Sequence, residues 1–146
     1  MPLAIDQGIG TVVWSPLAGG ALAGKVRRGE SVASGSRVSQ LGLDRAGDLE
    51  TLYNVVAALE EIADDVGRTV PQVALNWVLS RPTVASVVIG ARNEEQLRQN
   101  LAAVGWSLDE AHVAKLDAVS ERRPIYPYWH QRLNPRLNTP PVRTYR

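Results

Sequence analysis

The sequence contains no cysteine and only two histidines, His112 and His130. Without thiols, the chain can form neither disulfide bonds nor a thiolate zinc site. The two histidines are too few and too far apart along the chain for their spacing to indicate metal ligands. We therefore expect no resident metal.

Long apolar runs and blocks of like charge are also missing. No stretch approaches the ~20 apolar residues of a membrane span, and the N-terminal MPLAIDQG lacks the basic and apolar parts of a signal peptide. The formal net charge is +1, and no Lys/Arg cluster could follow a nucleic-acid backbone. These features favour a cytoplasmic protein with neither a nucleic-acid nor a membrane partner.

The remaining composition is that of an ordinary globular chain of 146 residues, 45% of them hydrophobic and 21% charged. Two short runs rich in β-branched residues, at 11–14 and 83–89, predict buried strands. Helical periodicity between and after them indicates parallel βα units. Because two parallel strands leave both sheet edges unpaired, we expect the chain to be part of something larger.

Apolar residues at three- and four-residue steps predict four helices. Each start is marked by a capping residue, in order Asp48, Thr69, Asn93 and Ser107. The first helix ends at Gly67 and the third at Gly105. The third is expected to direct Leu97, Leu101 and Val104 inward. The segment 19–47 has no sustained periodicity, and residues 123–146 form a tail rich in proline and aromatic residues, separate from a main portion at 1–122.

Residues 14–25 read WSPLAGGALAGK, and from Gly19 they match the first seven positions of a phosphate-binding P-loop. Val26 stands where the magnesium-binding Ser or Thr should be, and Gly29 disfavours a helix directly after the loop. A true P-loop is therefore disfavoured. A different phosphate loop and a glycine-rich turn without a ligand both stay open.

Residues 14–25, taken together with VIGARNEEQLRQNL at 88–101, resemble the aldo-keto reductases. The match is to the last two βα units of their (β/α)₈ barrel, and it runs from Gly8 through the fourth predicted helix. The resemblance implies an α/β fold, a partial TIM barrel of two parallel strands with flanking helices that is incomplete on its own. It also implies an NADP(H) cofactor and hydride transfer between its nicotinamide and an aldehyde or ketone.

By the same resemblance, twelve residues bind the cofactor. Those around the pyrophosphate are Ser15, Pro16, Leu17, Ala18, Gly19 and Lys25, with Arg37 helping to close the loop. Those near the adenosine are Gly90, Arg92, Gln96, Gln99 and Asn100. The family often has a small polar residue where Arg92 stands, so an arginine there favours a 2′-phosphate and hence NADP; a solvated Arg92 without a ligand is the alternative. The residue matching Gln99 is often acidic in the family.

The family's catalytic set of Asp, Tyr, Lys and His is not recognisable here. The only lysines are Lys25 and Lys115, and Tyr53, His112 and Lys115 lie on predicted amphipathic helices. The resemblance therefore implies the C-terminal part of a reductase, starting at an internal methionine or truncated, which lacks catalysis by itself. The alternative is a non-catalytic binding or assembly module, with self-association through open sheet edges.

The aromatic residues are interpreted mainly as structural. Trp14 and Trp77 are expected in the core, and Trp106 beside the cap of the fourth helix. His112 is expected to be structural. The cluster at 126–130 fits either packing on the barrel wall or a wall of the substrate pocket.

Overall fold

The computed structural model describes residues 2–32, 34–42 and 48–121. Its elements follow the order α1 (Pro2–Gln7), β1 (Thr11–Trp14), a 3₁₀ turn (Ala18–Gly20), α2 (Arg37–Leu41), α3 (Leu49–Val66), α4 (Val70–Leu79), β2 (Val84–Val88), α5 (Glu94–Leu101) and α6 (Glu110–Ser120). The tail at 123–146, with His130 and the aromatic cluster at 126–130, lies outside the described residues.

β1 and β2 form a parallel pair, with Thr11 beside Val84 and Trp14 beside Val88. The register shifts between Thr11 and Val12. The predicted α/β arrangement of two parallel strands with flanking helices is confirmed. The long connection between the strands also contains α2, which periodicity did not predict; the Ser36 side chain caps it by accepting from the Ser39 N–H at 3.1 Å.

The apolar core lies between helices rather than on the sheet. Side chains of α3, α4 and α6 meet there, including Leu59, Ile62, Val73 and Leu116, all nearly inaccessible to solvent. A second, smaller cluster joins α3 to the loop after β1 and to α2. No helix of the described residues is both long enough and apolar enough to span a bilayer.

The prediction that both strands are buried is wrong for the described chain. Along β1 the side chains alternate between half-buried and exposed, and Trp14, which was expected in the core, is 78% exposed. Val12 and Val88 are exposed as well. The reason is that no described element covers the sheet face that carries these three side chains. The packing of α4 against β2 leaves that face open.

Two details of the last helices also differ from prediction. Leu97, Leu101 and Val104 are 41–62% exposed rather than inward, because α5 buries only Asn100 and is followed by a buried Ala103. α5 ends at Leu101, not at Gly105. α6 is capped by Asp109 instead of Ser107, since the Asp109 carboxylate accepts from the His112 N–H at 2.7 Å.

The boundaries of α3 agree with the sequence. The Asp48 side chain accepts from the N–H groups of Glu50 and Thr51, and Gly67 ends the helix in the left-handed conformation with φ of 63°. The Thr51 hydroxyl also donates to Asp48, at 2.5 Å. These hydrogen bonds hold the pKa of Asp48 below its ordinary value of 3.8, and those from Thr51 contribute most.

The Asp48 cap is expected to weaken in acid. Because the folded-state pKa is lowered, the ionised cap stabilises the fold above the unfolded-state pKa, and the contribution disappears as pH falls through the folded-state value. We expect the free energy of unfolding of the natural chain to fall relative to that of Asp48→Asn, which caps without titrating, below about pH 4. Denaturant titrations at several pH values measure the difference, and a difference that stays constant would contradict the assignment.

Candidate functional site

A groove of about 900 Å³ lies at the carboxyl ends of β1 and β2. Its walls come from both strand ends, the loop after β1, the start of α2, the start of α4 and one face of α5. In open parallel sheets, ligands bind beyond the carboxyl ends of the strands. The groove is therefore the candidate functional site.

Eleven of the twelve residues singled out from the sequence line this one groove. They are Ser15, Pro16, Leu17, Gly19, Lys25, Arg37, Gly90, Arg92, Gln96, Gln99 and Asn100. Ala18, the twelfth, is in the same turn as Leu17 and Gly19 but does not line the groove. The two segments of sequence are thus brought together in space, although more than sixty residues separate them.

The turn after β1 is tight and carries backbone strain. Ser15 and Ala18 are non-glycine residues with φ of 53° and 49°, a region that costs of order 1–3 kcal/mol per residue. The Ala18 N–H donates to the Ser15 carbonyl at 2.9 Å, and the Leu22 N–H to the Leu17 carbonyl at 3.2 Å. Such strain persists where surrounding contacts impose it, and it is frequent at binding sites.

Lys25 is held in position by the residues on either side. Gly24 has φ of 73° and lies so close to Val70 that a Cβ there would be 3.2 Å from its side chain. Val26, on the other side, is buried in the smaller core cluster. The Lys25 side chain itself is exposed and free to point into the groove.

Arg37 reaches the groove from the first residue of α2. The next residue, Val38, is buried in the smaller core cluster and fixes the helix against the rest of the chain. Val38 also lies against Gly20, where a Cβ would be 3.5 Å away from it. The structure thus places a positive side chain of the long loop at the same groove as the turn after β1.

The turn after β2 is tied to α5 by side-chain hydrogen bonds. The Arg92 N–H donates to Gln96 Oε1 at 2.8 Å, and Asn100 Nδ2 donates to the Gly90 carbonyl at 3.4 Å. Asn93 caps α5 by accepting from the Gln96 N–H at 2.8 Å. Gln96 and Asn100 therefore use part of their hydrogen-bonding capacity to fix the backbone that carries Arg92.

The groove gathers positive charges that pair with no carboxylate in the described part of the chain. Lys25, Arg37 and Arg92 form no ion pair within residues 2–32, 34–42 and 48–121. In contrast, five other basic residues each pair with a carboxylate: Arg27, Arg28, Arg81, Arg98 and Lys115. Of the described residues that line the groove, Glu95 alone is acidic. An anionic ligand would meet a positive field there.

The N-terminus of α5 contributes less to this field than the sequence indicated. Its first turn carries Glu94 and Glu95, and the Gln96 N–H already donates to the Asn93 cap. Negative side chains reduce the attraction of a helix N-terminus for an anion, and so do backbone N–H groups that already donate a hydrogen bond. The arginine and lysine side chains therefore supply most of the positive charge.

The loop itself does not have the geometry of a P-loop. Gly24 and Lys25 are followed by irregular backbone, and the next helix of the described chain is α2, twelve residues after Lys25. A P-loop requires its lysine at the start of a helix. This agrees with the sequence, which disfavours a P-loop because Val26 stands in place of the magnesium ligand.

The sequence interpretation missed the wall that α4 contributes. Thr69 and Pro71, at the start of that helix, line the groove. The capping box of Thr69 and Gln72 is recognisable in the sequence, but its contact with the groove depends on how the crossover between the strands folds. Tyr53, His112 and Lys115 do not line the groove: Lys115 pairs with Glu61, and His112 lies between Asp65 and Asp109.

Replacing Gly24 is expected to disturb the loop that carries Lys25. An alanine at φ of 73° costs ~1–2 kcal/mol in backbone strain, and its contact with Val70 adds ~1–3 kcal/mol of overpacking. Gly29→Ala is the matched control, since Gly29 has φ of 79° but open space around it. Denaturant titrations should show a larger fall in the free energy of unfolding for Gly24→Ala than for Gly29→Ala. An equal fall in the two variants would mean that the contact with Val70 is unimportant.

Comparison with known proteins identifies the family. The Aldo/keto reductase family model matches residues 1–121. A probable voltage-gated potassium channel subunit beta of Arabidopsis thaliana is 38% identical over 107 residues, 71% of this chain and 32% of that protein. An NADH-specific methylglyoxal reductase of Escherichia coli is 32% identical over 124 residues, 83% and 36% of the two chains.

The fold agrees with these matches. The glycerol dehydrogenase AKR11B4 from Gluconobacter oxydans superposes with a TM-score of 0.63 and 25% identity, over 86% of this chain and 39% of that one. The chain thus spans about a third of the length of the curated relatives it matches. By sequence and by fold, the chain belongs to the aldo/keto reductase family.

Proposed function

We propose that this chain is the NADP(H)-binding portion of an aldo-keto reductase, drawn from the C-terminal part of the (β/α)₈ barrel. The observation that carries the proposal is the groove lined by both strand-end segments, with three cations that have no carboxylate partner among the described residues. TIM barrels commonly bind phosphate with the loops after their last two strands, which favours this placement within the barrel.

The groove residues fit the charge of a dinucleotide with an additional phosphate. Lys25 and the turn from Ser15 to Gly19 are the proposed pyrophosphate contacts, with Arg37 closing over them. Arg92 is the proposed partner of the adenosine 2′-phosphate, because a guanidinium binds phosphate oxygens through paired, charge-assisted hydrogen bonds. Gln99 and Asn100 would face the adenosine. When bound, the nicotinamide supplies hydride for carbonyl reduction.

The preference for NADP over NAD rests on Arg92 in particular. The Escherichia coli relative is named an NADH-specific reductase, so the family does not by itself fix the cofactor. Arg92 is exposed at the groove and has no carboxylate partner in the described chain. A free guanidinium at this position favours a ligand that brings its own phosphate.

Removing the Arg92 side chain is expected to weaken the binding of NADPH much more than the binding of NADH. Losing charge-assisted hydrogen bonds of ~1.5–3 kcal/mol corresponds to roughly 10- to 100-fold weaker binding. Arg92→Ala should therefore weaken NADPH binding by that factor and change NADH binding by less than about threefold. Fluorescence titration or calorimetry of the chain with each nucleotide measures both constants.

Arg98→Ala is the matched control for Arg92→Ala. Arg98 is on the same helix that follows Arg92 and carries the same charge, but it pairs with Glu94 and does not line the groove. Arg98→Ala should leave the affinities for NADPH and NADH unchanged. Equal weakening of NADPH and NADH by Arg92→Ala would show that Arg92 does not contact the 2′-phosphate.

The parent reaction is hydride transfer between the nicotinamide and an unidentified aldehyde or ketone. The proposed general acid of this chemistry is a tyrosine beside a lysine. Lys25 and Lys115 are the only lysines of the sequence, and Lys115 is paired with Glu61 away from the groove. The chain by itself is therefore proposed to bind the cofactor without catalysing the reaction.

Absence of turnover is the expected result for the chain alone. The chain is mixed with NADPH and a panel of carbonyl compounds including methylglyoxal. The absorbance of NADPH should then fall no faster than in the protein-free control. The same preparation should bind NADPH in the titration above, which shows that it is folded. Measurable NADPH oxidation that follows protein concentration would contradict the proposed loss of catalysis.

The second candidate function is a non-catalytic binding or assembly module. It is favoured by the Arabidopsis thaliana relative, whose name is that of a channel subunit, and by the exposed sheet face with Val12, Trp14 and Val88. Exposed apolar patches and open sheet edges favour association, so self-association through this sheet is part of the proposal. A cytoplasmic location stays a prediction.

A further inference from the structure

Two buried amide side chains on α4 face α5 and the segment that follows it. Gln72 is 7% exposed and Asn76 is 6% exposed, and they are one helical turn apart on the same face. Buried amides are costly unless they are hydrogen-bonded. Both are satisfied, and their partners show that the two residues hold different parts of the chain.

Gln72 connects two walls of the groove. Its Nε2 donates to the Gln99 carbonyl of α5 at 2.9 Å, while its Oε1 accepts from the Thr69 N–H at the start of α4 at 3.0 Å. Thr69 and Gln99 both line the groove. Gln72 itself does not line it, so any influence on a ligand must pass through these two residues.

Asn76 makes comparable bonds away from the groove. Its Nδ2 donates to the carbonyls of Ala103 and Trp106 at 3.0 and 2.9 Å. Its Oδ1 accepts from the Leu108 N–H at 3.1 Å. None of these partners lines the groove, so Asn76 fixes the connection between α5 and α6.

The position of α5 depends on these bonds more than on apolar packing. Asn100 is the only buried residue of the helix, and Leu97 and Leu101 are exposed. A helix with so little buried apolar surface has few other contacts to fix its distance from its neighbour. The bond from Gln72 to the Gln99 carbonyl therefore sets where the groove-lining face of α5 lies relative to α4.

We propose that Gln72 is a positioning residue for nucleotide binding. It holds Gln99 and the adjacent Asn100 at the distance from Thr69 that the adenosine end of the ligand requires, without touching the ligand. This inference rests on the proposed function for its binding readout. The mechanical part, the control of α5 by Gln72, concerns the chain without ligand and can be tested separately.

The test compares Gln72→Met with Asn76→Leu in the full chain. Each change replaces a buried amide by an apolar side chain of similar size, so both should lower stability. Affinity for adenosine 2′,5′-bisphosphate, measured by calorimetry, should fall about fivefold or more for Gln72→Met, the equivalent of one lost hydrogen bond. It should change by less than about twofold for Asn76→Leu.

Amide hydrogen exchange of the ligand-free variants provides the second readout. Gln72→Met should raise exchange mainly in residues 97–101, and Asn76→Leu mainly in residues 106–109. If Gln72→Met does not fold, Gln72→Glu replaces it: its carboxylate still accepts from the Thr69 N–H but cannot donate to the Gln99 carbonyl. The same local rise at 97–101 and the same loss of affinity are expected.

The outcomes separate this inference from the proposed function. Equal effects of the two substitutions on affinity, or exchange that rises equally over both segments, would overturn the positioning role. If the natural chain binds no adenine nucleotide, the proposed function fails. The hydrogen-exchange comparison alone then decides whether Gln72 controls α5.

Discussion

The parallel pairing of β1 with β2 is the constraint on which the candidate site depends. It sets Trp14 beside Val88, so that the segments after both strands leave the sheet at the same edge. Because side chains alternate along each strand and the register is fixed by the backbone hydrogen bonds, the turn at 15–19 and the turn at 90–92 must be neighbours. The groove follows from that pairing, and no single loop would produce it.

Local features of the sequence were enough to predict most elements, but not what covers them. Asp48 and Gly67 define α3 because capping and left-handed termination are decided within a few residues. Burial is not local. The β-branched runs correctly predicted strands, yet Trp14 is exposed because its surroundings depend on which layers pack on the sheet. Periodicity alone predicts Leu97 and Leu101 to point inward, whereas α5 buries Asn100 and is hydrogen-bonded to α4 through the Gln99 carbonyl.

The site shows the same division between local and long-range information. Resemblance to the family identified the strand-end residues, and the structure brings eleven of the twelve to one groove. Thr69 and Gln72 were not identified as part of the site, since a capping box at the start of a helix is ordinarily explained by the helix itself. Only the folded crossover reveals that this helix start faces the groove and that Gln72 reaches across to Gln99.

The groove is organised so that its backbone is fixed while its charges remain available. Val26 and Val38 are buried beside Lys25 and Arg37, and Gln96 holds the Arg92 N–H, but none of the three cations is neutralised by a carboxylate within the described ranges. A fixed backbone lowers the entropy lost on binding, and an unpaired cation needs no ion pair to be broken first. Both properties favour an anionic ligand. Gln72 contributes to the first of them, because it fixes the backbone of two groove walls without carrying charge.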